Sequence, residues 1–273
     1  MPEMPEVETI ARQLRKAIVG KAVSDVRLSG LPLRRPVDPA FSAALRGRKV
    51  VAVRRRGKYL VLQLEPQAVV LVHLGMSGRI FFRGTDFEPT PHTHGIIGFA
   101  DGSLLEYRDP RRFGMLSAHD GRRMRDIAEL MALGKDPLSP GFDRGWLWPR
   151  ISRSRREVKS FLLDQREIAG LGNIYVCEAL FHAKIHPARR CDTLTQEEAS
   201  RLVHAVRKVL RAAIKNRGTT FSDFMASDGE PGNNQRFLRV FQREGRKCLR
   251  CRAVIRRLRQ ANRGSYYCPG CQV

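Results

Sequence analysis

The chain has 273 residues, of which 42% are hydrophobic, so it is long enough for two domains of ordinary size with packed cores. This composition excludes wholesale disorder. Fifty Lys and Arg against 27 Asp and Glu give a formal net charge of +23, which favours a nucleic-acid partner, because each neutralised phosphate releases bound counterions. A membrane surface is the weaker alternative, since no segment has the pattern of a basic amphipathic anchor.

The order of predicted elements indicates an α+β fold. Residues 5–19 predict a helix, because Val7, Ile10, Leu14 and Ile18 recur at helical spacing. From about residue 23 to 115 the pattern is that of strands, which indicates a two-layer, mostly antiparallel β-sandwich with the N-terminal helix packed on it. The predicted strands include residues 50–53, 59–64, 69–73, 79–82, 95–99 and 104–107.

The second half of the chain predicts a different kind of domain. Residues 135–149, rich in proline and glycine, predict a hinge after an N-terminal domain of residues 1–134. Residues 150–237 predict a helical domain that ends in a polar, mobile loop over 225–237. Residues 238–273 form the last predicted domain.

The last predicted domain contains two Cys-x-x-Cys pairs, Cys248 with Cys251 and Cys268 with Cys271. Two such pairs, each presenting two thiolates on a tight turn, predict a tetrahedral zinc site, and two disulfides are the alternative. Cys177 lies in a helical pattern and is predicted to be a core residue. With no signal peptide and no apolar run that could span a bilayer, we expect a reducing, cytoplasmic compartment.

The first residues, MPEMPEVET, carry a candidate nucleophile. Removal of Met1 would leave Pro2 with a free secondary amine, and an α-amino group has a pKa of about 7.7–8.0, so part of it is neutral near physiological pH. Such an amine attacks an aldehydic carbon to give an iminium, and Glu3 could move the protons. The alternative is structural, because Pro-Glu pairs also begin helices.

Three further segments suggest contacts with a nucleic acid. Met76 lies between glycines in HLGMSGR, and Arg111 and Phe113 lie on the turn DPRRFG, as in a wedge that enters a duplex when a base is expelled; ordinary packing is the alternative. Lys58, at a strand start, could be a phosphate contact or a cation that faces the site, and a solvated strand end is the alternative. The glycines before Asn173 could expose backbone N–H groups to a phosphate.

Together these motifs resemble the formamidopyrimidine-DNA glycosylase family, within the group that also contains endonuclease VIII. The resemblance covers nearly the whole chain, with its motifs in the family's order. They are PEMPEVET (2–9), GKYL (57–60), HLGMSGR (73–79), DPRRFG (109–114), AGLGNIYVCEALF (169–181), HP (186–187), GTT (218–220) and the two Cys-x-x-Cys pairs of the predicted zinc site, taken to lie on a hairpin.

The resemblance implies a bifunctional repair enzyme that excises oxidised purines and cuts the strand by β,δ-elimination. It implies Pro2 as nucleophile, Glu3 as general acid/base, and Lys58 and Arg263 as further catalytic-site residues that bind the DNA backbone. It also implies one structural zinc, a single chain acting as a monomer, and duplex DNA with oxidised bases or abasic sites as partner. The DNA contacts it implies are His92, Arg111 and Asn173, with Met76, Arg111 and Phe113 filling the vacated space and the 225–237 loop closing over the expelled base.

Two positions depart from the family pattern. Met4 stands where leucine is usual, and Ser222 stands where a basic residue is common. An enzyme for oxidised pyrimidines, like endonuclease VIII, is one alternative, but that branch usually lacks HLGMSG and DPRRFG. The other alternative is a non-enzymatic zinc-dependent nucleic-acid binder, which would have no use for Pro2 and Glu3.

Overall fold

The computed structural model describes residues 2–221, 224–260 and 262–273. The chain divides into two compact units, whereas the sequence predicted an N-terminal domain, a hinge, a helical domain and a separate last domain. The β unit runs up to Ala132 and also includes Asn216–Gln235, whereas the helical unit comprises Leu133–Lys215 and Arg236–Val273. Residues 216–235, which the sequence suggested were part of the helical domain, therefore belong to the β unit.

The β unit contains helix α1 (Met4–Ile18) and two four-stranded sheets, which confirms the predicted α+β sandwich. Neighbouring strands in both sheets are antiparallel. In spatial order, the first sheet has β1 (Val23–Leu28), β6 (Thr93–Phe99), β7 (Leu104–Arg108) and β5 (Arg79–Arg83). The second has β2 (Lys49–Arg56), β3 (Tyr59–Glu65), β4 (Ala68–His73) and β8 (Met115–Asp120). A short helix, α2 (Ala128–Met131), follows.

Helix α1 lies on this sandwich through its apolar stripe. Val7, Ile10, Leu14 and Ile18 are buried in one hydrophobic core with residues of both sheets. The helical spacing of these residues predicted both the helix and its buried face. The burial of this face holds the start of the chain in a fixed position.

The helical unit contains α3 (Arg144–Ile151), α4 (Val158–Leu163), α5 (Asn173–Ala183) and α6 (Gln196–Lys215), followed by the hairpin of β9 (Arg256–Gln260) and β10 (Arg263–Tyr267). Helix α3 lies partly inside the predicted hinge, so the hinge prediction was wrong for residues 144–149. The helix begins there because the Asp143 side chain accepts a hydrogen bond from Trp146 N at 2.8 Å. Pro149 lies near its end, where it removes only one backbone bond.

Glu178 joins α5 to the segment that leads into the hairpin. Its buried carboxylate accepts hydrogen bonds from the backbone N–H groups of Arg239, Val240 and Phe241, each at 2.9 Å. Burial raises the pKa of Glu178, and the three donors counteract part of that rise. Cys177, the preceding residue, packs in a core cluster with Cys248, as its sequence context predicted.

The 225–237 loop is bonded to the β unit through Ser227. Gln13 Oε1, on α1, accepts hydrogen bonds from Ser227 N at 2.9 Å and from Ser227 Oγ at 2.8 Å. Ser227 O accepts a hydrogen bond from Phe82 N, on β5, at 3.0 Å. Among the described residues, no helix has the length and apolarity needed to cross a membrane.

Candidate functional site

The start of α1 is fixed by a carboxylate that the sequence analysis did not single out. Glu6 Oε2 accepts a hydrogen bond from Glu3 N at 2.8 Å, and Glu6 Oε1 accepts one from Thr219 N at 2.7 Å. Pro2, Glu3 and Glu6 are all buried. The Glu-x-x-Glu spacing at the helix start was the available signal, because a glutamate at the third helical position bonds back to the cap residue.

The turn that receives Glu6 explains part of the GTT motif. Gly218 has a φ of +85°, and a Cβ on it would lie 2.9 Å from Glu6 Oε1. A larger residue would therefore both strain the backbone and displace the carboxylate. Met1 and Ser222, two positions that the sequence analysis raised, lie outside the described residues.

Lys58 lies on the β2–β3 turn, which is connected to α1 through Arg55. Arg55 Nε donates to Glu8 on α1 at 3.0 Å, and Arg55 Nη1 donates to Gly57 O at 3.4 Å. Lys58 itself is only 8% exposed, so it is not the solvated strand end that the sequence left open. The structure thus links the Lys58 turn to the first turns of α1, the helix that follows Pro2 and Glu3.

His73, at the end of β4, is neutral and fixes the turn that carries Met76. Burial lowers the pKa of His73 to about 4, and the charges of Lys58 and Arg34 act in the same direction. The neutral ring can accept a hydrogen bond at Nδ1, and Gly75 N donates to that atom at 3.0 Å.

Met76, Arg111 and Phe113 lie on two turns that touch each other. A Cβ on Gly75 would lie 2.4 Å from the Phe113 carbonyl carbon. Met76 is 40% and Phe113 46% exposed, and the Arg111 guanidinium lies over the Phe113 ring at 4.7 Å. Large apolar side chains exposed side by side suit a surface that is covered when a partner binds.

His92 belongs to the same edge of the β unit. Its side chain is exposed, and its carbonyl oxygen accepts a hydrogen bond from Asp109 N at 2.9 Å, immediately before the Arg111 turn. The structure therefore brings together the residues of the β unit that were expected to contact DNA around a flipped nucleotide.

In the helical unit, Asn173 and Arg263 are also brought together. Asn173 is the first residue of α5, and its Nδ2 donates to Gly264 O at 3.0 Å, next to the exposed Arg263. Lys159, only 1% exposed, donates to the same carbonyl at 3.2 Å and to Ser265 Oγ at 2.5 Å. The hairpin tip is thereby fixed against the N-terminus of α5, where backbone N–H groups and the helix dipole favour an anion.

The four hairpin cysteines fit one zinc ion. Their Sγ atoms all lie within 4.8 Å of one another, with Cys248 to Cys271 at 3.9 Å and Cys251 to Cys268 at 3.3 Å. Tetrahedral Zn–S bonds of about 2.3 Å need sulfur–sulfur distances of about 3.8 Å. All four cysteines are free in the structure, so the disulfide alternative is not observed.

Comparison with known proteins identifies the family. The formamidopyrimidine-DNA glycosylase N-terminal domain matches residues 1–116, the H2TH domain of that enzyme matches 133–225, and the zinc finger found in FPG and IleRS matches 245–273. The chain belongs to the formamidopyrimidine-DNA glycosylase family. Membership makes it a DNA glycosylase of base-excision repair with a zinc-finger domain.

Individual relatives agree over the full length. The formamidopyrimidine-DNA glycosylase of Desulforamulus reducens is 41% identical over 274 residues, covering 100% of this chain and 99% of the relative. The crystal structure of the Thermus thermophilus MutM (FPG) protein has a TM-score of 0.88 at 41% identity, covering 99% of this chain and 98% of that one. The Lactococcus lactis protein, solved in complex with DNA containing Fapy-dG, has a TM-score of 0.90 at 31% identity, covering 99% of each chain. That protein has also been solved with DNA containing an oxidised pyrimidine.

The zinc assignment predicts one zinc per chain. Cys248→Ser should lose the metal and weaken DNA binding, because three thiolates hold the ion less well and the hairpin carries Arg263. Metal analysis and DNA titration measure both effects. Cys191→Ser is the matched control, since Cys191 is a buried thiol outside the cluster whose pKa burial raises to about 11. Metal-free wild-type protein with oxidised hairpin cysteines would contradict the assignment.

Proposed function

We propose that this protein removes oxidised purines, chiefly 8-oxoguanine and formamidopyrimidines, from duplex DNA and then cleaves the strand by β,δ-elimination. The observation that carries the proposal is the buried Glu6 carboxylate at the start of α1, which bonds Glu3 N and so fixes the residue that follows Pro2. A residue whose backbone nitrogen is the nucleophile needs such fixation, because chain termini are otherwise among the least ordered parts of a protein.

The chemistry starts with the neutral amine of Pro2, freed by removal of Met1. Its nitrogen forms a bond to the sugar C1′ while the bond from C1′ to the base breaks, and the base leaves as it takes up a proton. The nitrogen loses its own proton, the C1′–O4′ bond breaks, and a cationic iminium results. Glu3, 2% exposed beside the nucleophile, is the proposed carrier of these protons, first to the base and then to O4′.

The iminium explains why the same site can cleave the strand. It acidifies the C2′ proton, whose loss expels the 3′ phosphate in β-elimination. A second elimination expels the 5′ phosphate, and water then releases the sugar fragment and restores Pro2. Lys58 is buried, and its turn is linked to α1 through Arg55. This placement supports the proposal that Lys58 holds a phosphate next to this carbon.

The remaining polar contacts serve to hold the DNA backbone. Asn173 and Arg263 lie next to Gly264, at a helix N-terminus. This arrangement supports a phosphate contact from the helical unit, consistent with the charge of +23. The Lactococcus lactis relative, which was solved in complex with DNA containing Fapy-dG, supports the same class of substrate.

The choice between purine and pyrimidine lesions depends on the β-unit edge. Met76 can fill the space of an expelled nucleotide, Phe113 can wedge beside the orphaned base, and Arg111 can bond to that base. An endonuclease VIII-like enzyme for pyrimidines is the second candidate, because the same Lactococcus lactis relative was solved with an oxidised pyrimidine. A non-enzymatic binder is no longer a candidate, because the family to which the chain belongs is one of DNA glycosylases.

Borohydride reduction should trap one covalent adduct with an oligonucleotide that carries 8-oxoguanine, and peptide mapping should assign it to Pro2. The iminium is reducible only while the amine is bonded to C1′, so the adduct reports the nucleophile directly. An adduct on Lys58, or an unchanged lyase rate in Pro2→Gly, would contradict the assignment of Pro2 as the nucleophile.

Glu3→Gln serves as the matched variant, because it keeps the amine and removes the proton carrier. It should lose excision of 8-oxoguanine by about 10²–10⁴-fold. It should still give a trapped adduct with an abasic site, since no base has to leave. Wild-type excision in this variant would show that Glu3 serves only the helix terminus.

Excision of 8-oxoguanine should be faster opposite cytosine than opposite adenine, and Arg111→Ala should erode the difference. Arginine offers only donors, cytosine presents two acceptors (O2 and N3) on its pairing edge, and adenine presents one (N1). Single-turnover rates on the two duplexes measure the ratio. Equal rates in the wild type, or faster removal of thymine glycol than of 8-oxoguanine, would support the pyrimidine alternative.

A further inference from the structure

We propose that Asp109 is a positioning residue that joins the Met76 turn to the Arg111–Phe113 turn, so that the three side chains enter DNA as one unit. The inference rests on the proposed function for what the three side chains do. The link itself rests on contacts within the β unit.

The Asp109 carboxylate is fully buried, and it binds both turns. Ser77 Oγ, on the Met76 turn, donates to Asp109 Oδ1 at 2.6 Å. Gly114 N, which follows Phe113, donates to Asp109 Oδ2 at 2.8 Å. Arg111 N donates to Ser77 Oγ at 3.3 Å, so the hydroxyl of the Met76 turn makes a second bond to the Arg111–Phe113 turn.

Two further groups hold Asp109 from the adjoining strands. Tyr107 OH donates to Oδ2 at 3.2 Å, and His94 Nε2 lies 3.2 Å from Asp109 O. Burial raises the pKa of Tyr107, and the Asp109 charge raises it further, so the hydroxyl stays protonated and remains a donor. A buried carboxylate is retained at low cost only when its oxygens are bonded in this way.

Glycines allow the turns to approach closely enough for this carboxylate to reach both. A Cβ on Gly114 would lie 1.7 Å from Tyr107 OH and 2.7 Å from His73 O, and one on Gly78 would lie 2.9 Å from Tyr107 OH. Together with Gly75 against Phe113, these positions leave no room for a side chain between the turns. The glycines of HLGMSG and DPRRFG are thus needed for the packing of one turn on the other.

The consequence is that displacement of one turn displaces the other. Met76 fills the vacated space only if its turn is in place, and Arg111 and Phe113 reach the orphaned base only if theirs is. Because both turns are bonded to the same buried carboxylate, they are in place or displaced together. Residues that share such a network have coupled energetics. Asp109 touches neither DNA nor the reacting atoms in this scheme, and it acts through the other three.

The first test uses the free protein and does not depend on the chemistry. Asp109→Asn is nearly isosteric but replaces one acceptor oxygen by a donor, so it should loosen the contacts with Gly114 N and Ser77. Amide hydrogen exchange should then rise about tenfold at Gly75 and Gly78, in the turn that does not contain residue 109. Faster exchange at Gly114 alone would overturn the link. Tyr107→Phe keeps the carboxylate and removes only one of its donors, so it should show a smaller rise in exchange at the same amides. It provides the test if Asp109→Asn does not fold.

The second test measures coupling between the turns in the reaction. In the wild type, Met76→Ala and Arg111→Ala should each lower the cytosine-to-adenine excision ratio, with the double variant little worse than either one. The coupling is the factor by which the double variant departs from the product of the two single effects on this ratio. In the Asp109→Asn background the two effects should become independent, so this factor should fall about tenfold. Asp101→Asn, which removes an exposed carboxylate from the β6–β7 turn, should leave the coupling unchanged.

The outcomes separate the two levels of the proposal. Coupling that persists in Asp109→Asn overturns the role of Asp109. A wild type with no opposite-base preference overturns the proposed lesion readout instead, and hydrogen exchange at Gly75 and Gly78 then decides whether Asp109 joins the turns.

Discussion

The proposed chemistry depends on one buried carboxylate that fixes the beginning of the chain. Glu6 accepts hydrogen bonds from Glu3 N and Thr219 N, two groups that lie far apart in the sequence, and it is 1% exposed. Hydrogen bonds to an ionised acceptor are the strong ones. Without them the first residues would be free to fray, and an N-terminal nitrogen could not be held against a carbon atom of the substrate.

Buried charged groups also fix three other segments of the chain. Asp109 binds the two turns with exposed side chains, Lys159 binds the hairpin tip, and Glu178 binds the chain that enters the hairpin. Each is a buried charged group whose polar atoms are bonded mainly to backbone or hydroxyl groups. Burial of a charge is costly when it is unpaired, so removal of its partners should destabilise the loop concerned. The rigid parts of the fold thus lie directly beneath the residues proposed to contact DNA.

The periodicity of apolar residues predicted the β-sandwich and α1, because the residues that form each apolar face lie within one short stretch of the sequence. The zinc cysteines were predicted by spacing, and Met76 and Phe113 by their place between glycines and on a tight turn. Helix α3 was missed, because its one glycine and one proline continue the composition of the linker before it and its cap is a single Asp143 side chain. Asp109, Lys159 and Glu178 were missed as anchors, since their burial is created by partners that only the fold brings near, whereas Glu6 was missed although its spacing from Glu3 was visible in the sequence.

The most direct measurement of the central claim is single-turnover excision of 8-oxoguanine by Glu6→Gln. The amide keeps one acceptor oxygen but turns an NH₂ group toward the second N–H donor, so one charge-assisted hydrogen bond is lost. A loss of about 1.5–3 kcal/mol predicts a rate lowered about 10–150-fold, with affinity for the damaged duplex unchanged. Glu65→Gln, at an exposed glutamate that ends β3, should keep the wild-type rate. A wild-type excision rate in Glu6→Gln would contradict the account, because Pro2 and Glu3 would then not need the carboxylate that holds them.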